Sequence, residues 1–296
     1  MEYRTARWVV CAVAVSAVAG IGWHLYGTHC RKAAALAESQ WVQAMADSVT
    51  ADRGGVGELR VALFDVDGKR EDALKDLTAI LESLPRCTWK PVGPGDIRDG
   101  VLDQFDVVVF PGGSGRRQAE ALGKEGCEAV RAFVRDGGGY VGICGGGFLA
   151  TANYNLGILN AKALAGTIDV PGEGPQPMSA RGAGDVQLEL TAAGSRLFAT
   201  MPGHFSMRYT GGPILSPGGK RGLPTYVVLA EYRSEVWQWE PQRGTMVNTP
   251  AIVAAPYGQG RVVVFSAHPE MAKQTAPLFA AAVLATARDL VRAKND

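Results

Sequence analysis

A cysteine in a glycine-rich turn is the residue whose setting most favours nucleophilic chemistry. Cys144 stands in the run GICGG (142–146), between an apolar pattern typical of a strand and a pattern typical of a helix. A strand, a sharp turn and a helix in this order form a nucleophile elbow, here with Cys in place of Ser. Its small flanking residues let neighbouring chains approach, and the amide of Gly145 would point at a developing oxyanion. A buried structural cysteine in a packing turn is the alternative interpretation.

A histidine and a carboxylate provide the other parts of such a site. His268 and Glu270 lie in the segment SAHPE (266–270), directly after the apolar run RVVVF. Open α/β sheets place their ligand crevices at the carboxyl ends of strands, so we expect this imidazole at the crevice. A thiol, a base and a group that orients the base form a catalytic triad. A surface turn is the alternative interpretation of SAHPE.

A second glycine-rich turn follows another apolar strand pattern, in FPGGSG (110–115). The amides of Gly112 and Gly113 would complete an oxyanion hole with that of Gly145. A phosphate-binding loop is a weaker interpretation, because no Gly-Lys-Ser/Thr follows. An ordinary strand-to-helix turn also accommodates these glycines.

The first apolar strand pattern ends in an acidic turn that suggests a different chemistry. LFDVDGK (63–69) resembles the Asp-x-Asp-Gly motif of haloacid-dehalogenase-like phosphatases, with Asp65 as nucleophile and Asp67 as acid and base. Lys69 stands where those enzymes usually have Thr or Val, and no late acidic pair for Mg²⁺ follows. Asp and Gly are also common turn formers. The same turn could instead rim the crevice of Cys144.

The elements that must position these residues alternate between short apolar runs and helical patterns. LRVALF (59–64), DVVVF (106–110) and GGYVGI (138–143) are typical of buried strands, and EDALKDLTAILESL (71–84) is typical of an amphipathic helix. This alternation predicts a mostly parallel sheet covered on both faces. Residues 156–250 are richer in Gly and Pro and predict an insertion of antiparallel strands and long loops.

The N-terminal segment predicts a membrane anchor. Residues 8–27 contain no Asp, Glu, Lys or Arg, and about 20 apolar residues span the hydrocarbon core of a bilayer. A signal peptide, which Ala17-Val18-Ala19 would allow to be cleaved, and a buried core helix are the alternatives. We expect a single-pass protein whose domain lies outside the cytoplasm.

Composition excludes several classes of protein. With 296 residues, 47% of them hydrophobic, and a net charge of +1, the chain is neither disordered nor a strongly basic nucleic-acid binder. Its five cysteines form no CxxC pair and no cluster with histidine, which excludes a zinc site of that type and a disulfide framework. We therefore expect no metal, no cofactor and no nucleic-acid partner.

Four segments together resemble the class I glutamine amidotransferase-like superfamily, and within it the domains related to the N-terminal region of biotin protein ligase. They are the elbow GGYVGICGGGFLA, the strand end FPGG, the segment YTGGP (209–213) and the closing stretch GQGRVVVFSAHPE. The resemblance implies a flavodoxin-like α/β sandwich. It also implies that Cys144 is the nucleophile, His268 the base and Glu270 its orienting group. The same segments assign substrate or oxyanion binding to a further set of residues: Gly112, Gly113, Gly145, Phe148, Tyr209, Gly211 and Gly212.

One position departs from the superfamily pattern. Phe148 stands where glutamine-hydrolysing members usually have Gln, so free glutamine is a doubtful substrate. We expect a thiol hydrolase or amidotransferase-like protein that acts on a small-molecule amide or peptide-like bond, with a separate protein partner as an option. A non-catalytic binding domain of the same fold is the alternative. The expected parts are a basic N-terminus (1–7), the anchor or uncleaved signal (8–27), a linker or stalk (28–57) and the amidotransferase-like domain (58–296).

Overall fold

The computed structural model describes residues 34–50, 58–66 and 71–288, and side chains from residue 74 onwards in the last range. The chain divides into two compact units, residues 1–44 and 45–296. In the first unit, the described residues 34–44 are helical, as part of a helix α1 over 34–50. The architecture below is that of the second unit.

The described part of the second unit contains thirteen strands. Those of the N-terminal half are β1 (Leu59–Phe64), β2 (Cys87–Val92), β3 (Val107–Phe110), β4 (Gly139–Ile143), β5 (Ala161–Ala163), β6 (Thr167–Val170) and β7 (Gly174–Pro177). Those of the C-terminal half are β8 (Ala183–Leu190), β9 (His204–Thr210), β10 (Leu215–Pro217), β11 (Val227–Tyr232), β12 (Pro250–Tyr257) and β13 (Gly260–Phe265).

Six helices accompany these strands, along with short 3₁₀ turns. They are α2 (Glu71–Ser83), α3 (Pro94–Arg98), α4 (Gly115–Arg135), α5 (Gly145–Ala150), α6 (Ala192–Leu197) and α7 (Ala276–Thr286). Among them, α2 packs against α7, and α4 packs against α3 and α5. Strands β1, β3 and β4 are buried along almost their whole length because helices cover the sheet.

The central sheet has nine strands in the order β2-β1-β3-β4-β13-β12-β11-β8-β9. The first five strands pair in parallel, and every pair from β13 onwards is antiparallel. The prediction of a mostly parallel sheet is therefore wrong, and the fold is a mixed α/β one with a parallel and an antiparallel half. Of the strands expected as an insertion, β8, β9 and β11 belong to the main sheet, where they extend the edge formed by the β12–β13 hairpin. Among the described residues, β10 pairs with β5, and β6 with β7, in separate two-stranded sheets.

No helix in the described ranges could cross a membrane. Helix α4 has 21 residues but carries charged side chains along its length, and the apolar helix α7 has only 11 residues, against about 20 needed for a span. This finding corrects the prediction of a single-pass membrane anchor. The segment 8–27, to which that prediction referred, lies outside the described residues.

Candidate active site

Cys144 occupies a strained turn between β4 and α5. Its backbone has φ 49° and ψ −100°, a left-handed value of φ that residues other than glycine rarely adopt. The turn is held because the amide of Cys144 donates to the carbonyl of Phe265, 2.9 Å away, and its carbonyl accepts from the amide of Phe148 at 3.0 Å. Strain of this kind is often found at functional positions. The elbow thus places a buried thiol at the carboxyl end of β4.

Glycines after Cys144 bring the second glycine-rich turn against the elbow. A Cβ on Gly145 would overlap the carbonyl oxygen of Gly113, and a Cβ on Gly146 would overlap that of Phe110. Strands β3 and β4 are parallel neighbours, which explains why their carboxyl-terminal turns meet. Gly112 also reaches the site, because a Cβ at this position would lie 2.6 Å from Cε1 of His268. The structure therefore brings Gly112, Gly113 and Gly145 together beside the thiol.

His268 lies just beyond the end of β13 and is 4% exposed. Its amide donates to the carbonyl of Arg208 at 2.8 Å, which ties this segment to β9. The ring nitrogen Nδ1 lies 2.7 Å from Oε1 of Glu270. The other ring nitrogen, Nε2, lies 2.6 Å from the hydroxyl of Thr210. The imidazole is therefore held between a carboxylate and a hydroxyl.

The charge of His268 follows from its neighbours. Burial lowers the pKa of the ring, but hydrogen bonds with Cys144 and Glu270, together with the charge of Glu270, raise it more, to about 10. At neutral pH the ring is an imidazolium that donates from both nitrogens. Among the described residues no group donates to Oε2 of Glu270, which is buried, and His268 donates only to Oε1. The carboxylate thus depends on His268 for its charge partner.

The segment YTGGP packs against the residue after β13 and lies beside the thiol of Cys144. Tyr209 is fully buried, and its hydroxyl donates to the carbonyl of Gly212 at 2.8 Å. A Cβ on Gly212 would overlap the carbonyl oxygen of Ser266, so this glycine lets the segment lie directly against the end of β13. Gly211 has φ 79°, which suits glycine. These residues position the turn that carries Thr210.

Thr210 is the residue of this site that sequence reasoning missed. Its carbonyl oxygen lies 3.9 Å from Sγ of Cys144, and its hydroxyl contacts His268. It stands at the variable place of the segment Tyr-x-Gly-Gly-Pro, so the motif gave no reason to single it out. The pairing of Arg208 with His268 across the sheet brings it to the site.

Phe148 is half-buried on α5, one turn after the nucleophile. Its ring centroid is 6.0 Å from that of Tyr154, and its Cβ lies 3.1 Å from where a Cβ of Gly115 would be. The ring therefore packs between α5 and the start of α4. This places an apolar group where the superfamily pattern has an amide.

Asp65 follows β1 at the same end of the sheet and is 9% exposed. Its partner in the phosphatase interpretation, Asp67, lies outside the described residues. Within the described ranges, no group of three or more His, Cys, Asp or Glu side chains could hold a metal ion. Asp65 lines a pocket together with Gly112 and Gly113, and Gly112 lies against the ring of His268.

Comparisons with known proteins identify a matching family model and solved structures of similar fold. Residues 99–167 and 172–291 match the family model described as "Biotin-protein ligase, N terminal". A cytoplasmic protein from Salmonella typhimurium has a similar fold, with a TM-score of 0.50 and 14% identity over 78% of this chain and 100% of that one. The cold-adapted β-galactosidase from Rahnella sp. R3 is similar at a TM-score of 0.48 and 15% identity over 76% of this chain, which spans 31% of that enzyme. No curated protein matches the sequence.

Proposed function

The chain belongs to the biotin-protein ligase N-terminal family, and on that premise we propose that it is a glutamine amidotransferase-like thiol hydrolase of an amide or peptide-like bond. Cys144 is the nucleophile, His268 the acid and base, and Glu270 the group that orients the ring. The observation that carries the proposal is the 2.7 Å contact between Nδ1 of His268 and Oε1 of Glu270, in a ring whose pKa is also raised by a hydrogen bond with Cys144.

The electrostatics favour a reactive sulfur. A buried imidazolium beside a thiol stabilises the thiolate, which is the nucleophilic form of cysteine. Hydrogen bonds with Cys144 and Glu270, together with the charge of Glu270, keep the ring charged in a place where burial lowers its pKa. A cysteine that served only for packing would not require the hydrogen-bonded pair of His268 and Glu270 beside it.

The reaction that fits these groups has two steps. The thiolate of Cys144 attacks the carbonyl carbon, and the negative charge on oxygen is stabilised by amides of the turns at Gly112, Gly113 and Gly145. The amide C–N bond then breaks as His268 gives its proton to the departing nitrogen, leaving a thioester. In the second step His268 takes a proton from water, the hydroxide attacks the thioester, and the thiolate leaves with a carboxylic acid as product.

A non-catalytic binding domain remains the second candidate, and one contact favours it. Thr210 bonds the ring nitrogen Nε2, which must give its proton to the departing nitrogen. A site that keeps this nitrogen occupied would bind a ligand in the crevice without turning it over. Labelling of the thiol separates the two candidates.

The test is labelling of the full chain with a panel of thiol-reactive amide and peptide probes near neutral pH. The wild type should label at Cys144, and Cys144→Ala should abolish that label. Cys87→Ala removes a half-buried thiol outside the site and is the matched control, which should label as the wild type does. His268→Ala should slow labelling of Cys144. Equal labelling of all native thiols, independent of His268, would contradict the enzyme and favour the binding domain.

A further inference from the structure

A fully buried serine lies two residues before His268, and the mechanism above does not use it. Ser266 directly follows β13 and is 0% exposed. Its hydroxyl lies 2.6 Å from the carbonyl oxygen of Pro213 and 2.8 Å from the hydroxyl of Tyr232. These two hydrogen bonds join β11, the end of β13 and the segment YTGGP inside the core.

The direction of both bonds follows from the groups at their ends. The carbonyl of Pro213 can only accept, so Ser266 donates to it. A serine hydroxyl has one hydrogen, and Tyr232 must therefore donate to Ser266. Burial, with the nearby Cys144 adding to the effect, raises the pKa of Tyr232, so the phenol keeps the proton that it donates. The serine hydroxyl is thus held in one orientation.

The segments joined by Ser266 are those that carry the imidazole and its hydroxyl partner. His268 follows Ser266 on one segment, and Thr210 precedes Pro213 on the other. A second tie lies on the other side of Thr210, where the amide of His268 donates to the carbonyl of Arg208 at 2.8 Å. Thr210 therefore lies between two hydrogen bonds that fix its segment against the end of β13.

The stretch after Thr210 needs such a tie. Two glycines separate Thr210 from Pro213, and glycine restricts its own backbone less than any other residue. The hydroxyl of Tyr209 bonds within the segment, whereas Ser266 bonds it to a different strand. The position of the Thr210 hydroxyl relative to the ring therefore depends on Ser266.

We propose that Ser266 is a positioning residue for the proposed reaction. Through its bond to Pro213 it holds the hydroxyl of Thr210 against Nε2 of His268, and Tyr232 orients the serine hydroxyl for that bond. The inference rests on the proposed function, because it treats His268 as the acid and base of the reaction.

The experiment is a double-mutant cycle between Ser266→Ala and Thr210→Val, read from the pKa of His268 by NMR titration of its ring protons. The groups whose charges act on this ring, Cys144 and Glu270, are the same in all four proteins. Ser266→Ala should lower the pKa by roughly one unit, because the Thr210 hydroxyl is no longer held in place. In the Thr210→Val background the same change should have much less effect, since the group through which it acts is absent.

Three further variants separate positioning from folding. Ser195→Ala, at an exposed serine of α6, is the matched control and should titrate as the wild type does. The double variant Ser266→Ala with Tyr232→Phe removes the buried hydroxyl that Ser266→Ala leaves without an acceptor. It should recover part of the lost free energy of unfolding in urea, but not the pKa of His268. Tyr232→Phe alone should lower that pKa by less than Ser266→Ala does, and it replaces the serine variant if that variant does not fold.

Equal shifts from Ser266→Ala in both backgrounds, or a pKa of His268 that recovers together with stability, would overturn the positioning role. So would an unchanged pKa in Ser266→Ala, or in Tyr232→Phe if the serine variant does not fold. The titration requires no turnover. Failure of the proposed function would appear separately, as labelling of Cys144 at a rate that does not depend on His268.

Discussion

The hydroxyl of Thr210 lies 2.6 Å from Nε2 of His268, on the side of the ring opposite the bond to Glu270. Because the ring is protonated at neutral pH, Nε2 is the donor and the hydroxyl accepts. The hydroxyl therefore accepts a hydrogen bond from the imidazolium. We expect Thr210 to act through the ring as a positioning residue, without direct contact with substrate.

Thr210→Val should lower the pKa of His268. The variant keeps the branched shape of the side chain but removes an acceptor from a charged donor, an interaction that contributes about 1.5 to 3 kcal/mol, or roughly one to two pKa units. The pKa of His268 is measured by NMR titration of its ring protons. Thr210→Ser keeps the hydroxyl and should titrate as the wild type does. An unchanged titration in Thr210→Val would show that the hydroxyl does not act on the ring.

Stability should depend on the charge of His268 at alkaline pH. The pKa of this ring is about 10 in the folded chain, against about 6.5 for an ordinary histidine, so the folded state binds the proton more tightly. Its contribution, roughly 3 to 5 kcal/mol, is fully present below pH ~6.5 and is lost as the pH rises towards about 10. Urea unfolding of the wild type and His268→Gln across this range measures it. A difference in free energy of unfolding that stays constant with pH would contradict the raised pKa.

Gly112→Ala should slow the reaction of Cys144 with a neutral alkylating reagent. The new Cβ would lie 2.6 Å from Cε1 of His268, so the ring or the turn must move. Displacements of this kind cost about 1 to 3 kcal/mol, and we expect a rate loss of roughly tenfold or more. Gly95→Ala is the matched control, because nothing lies within 4 Å of its Cβ position. Equal rates in the two variants would mean that Gly112 does not confine the ring.

Free glutamine at millimolar concentration should not be hydrolysed. Phe148 packs an apolar ring towards Tyr154 where the superfamily pattern has Gln, and an apolar wall does not compensate the burial of a zwitterion. Sites that read polar groups discriminate strongly when a partner is missing. The measurement is release of ammonia and glutamate by the wild type and by Cys144→Ala. Turnover on the order of 1 s⁻¹ that depends on Cys144 would identify a glutaminase instead.

Local pattern was sufficient for the elements that carry Cys144 and His268. An apolar run, a glycine-rich turn and a helical pattern placed Cys144 between β4 and α5, and the run RVVVF placed His268 after β13. These assignments succeed because strands buried on both faces read as continuous apolar runs, and because a sharp turn between packed chains requires small residues. The position of Asp65 at the end of β1 follows in the same way.

Pairing between distant segments was decided by tertiary structure. Alternating segments such as VQLEL predict strands, but their pattern does not say which edge they will join, and β11 and β8 extend the main sheet beyond β12. That is why a mostly parallel sheet with an insertion was expected and a half-parallel, half-antiparallel one was found. Hydrogen bonds between strands depend on backbone edges that the sequence leaves unspecified.

The sequence by itself determined the residue types and local turns of the candidate site: a cysteine at an elbow, a histidine and a glutamate after a strand, and glycines where chains must touch. Only the tertiary structure decided that Thr210 contacts Nε2 of the imidazole and that Asp65 and Gln118 share a pocket with Gly112. Both contacts join segments far apart in the chain, across strands whose neighbours are chosen by packing of the whole sheet. The raised pKa of His268 depends on burial and on its contacts in the folded chain, so no single sequence motif predicts it.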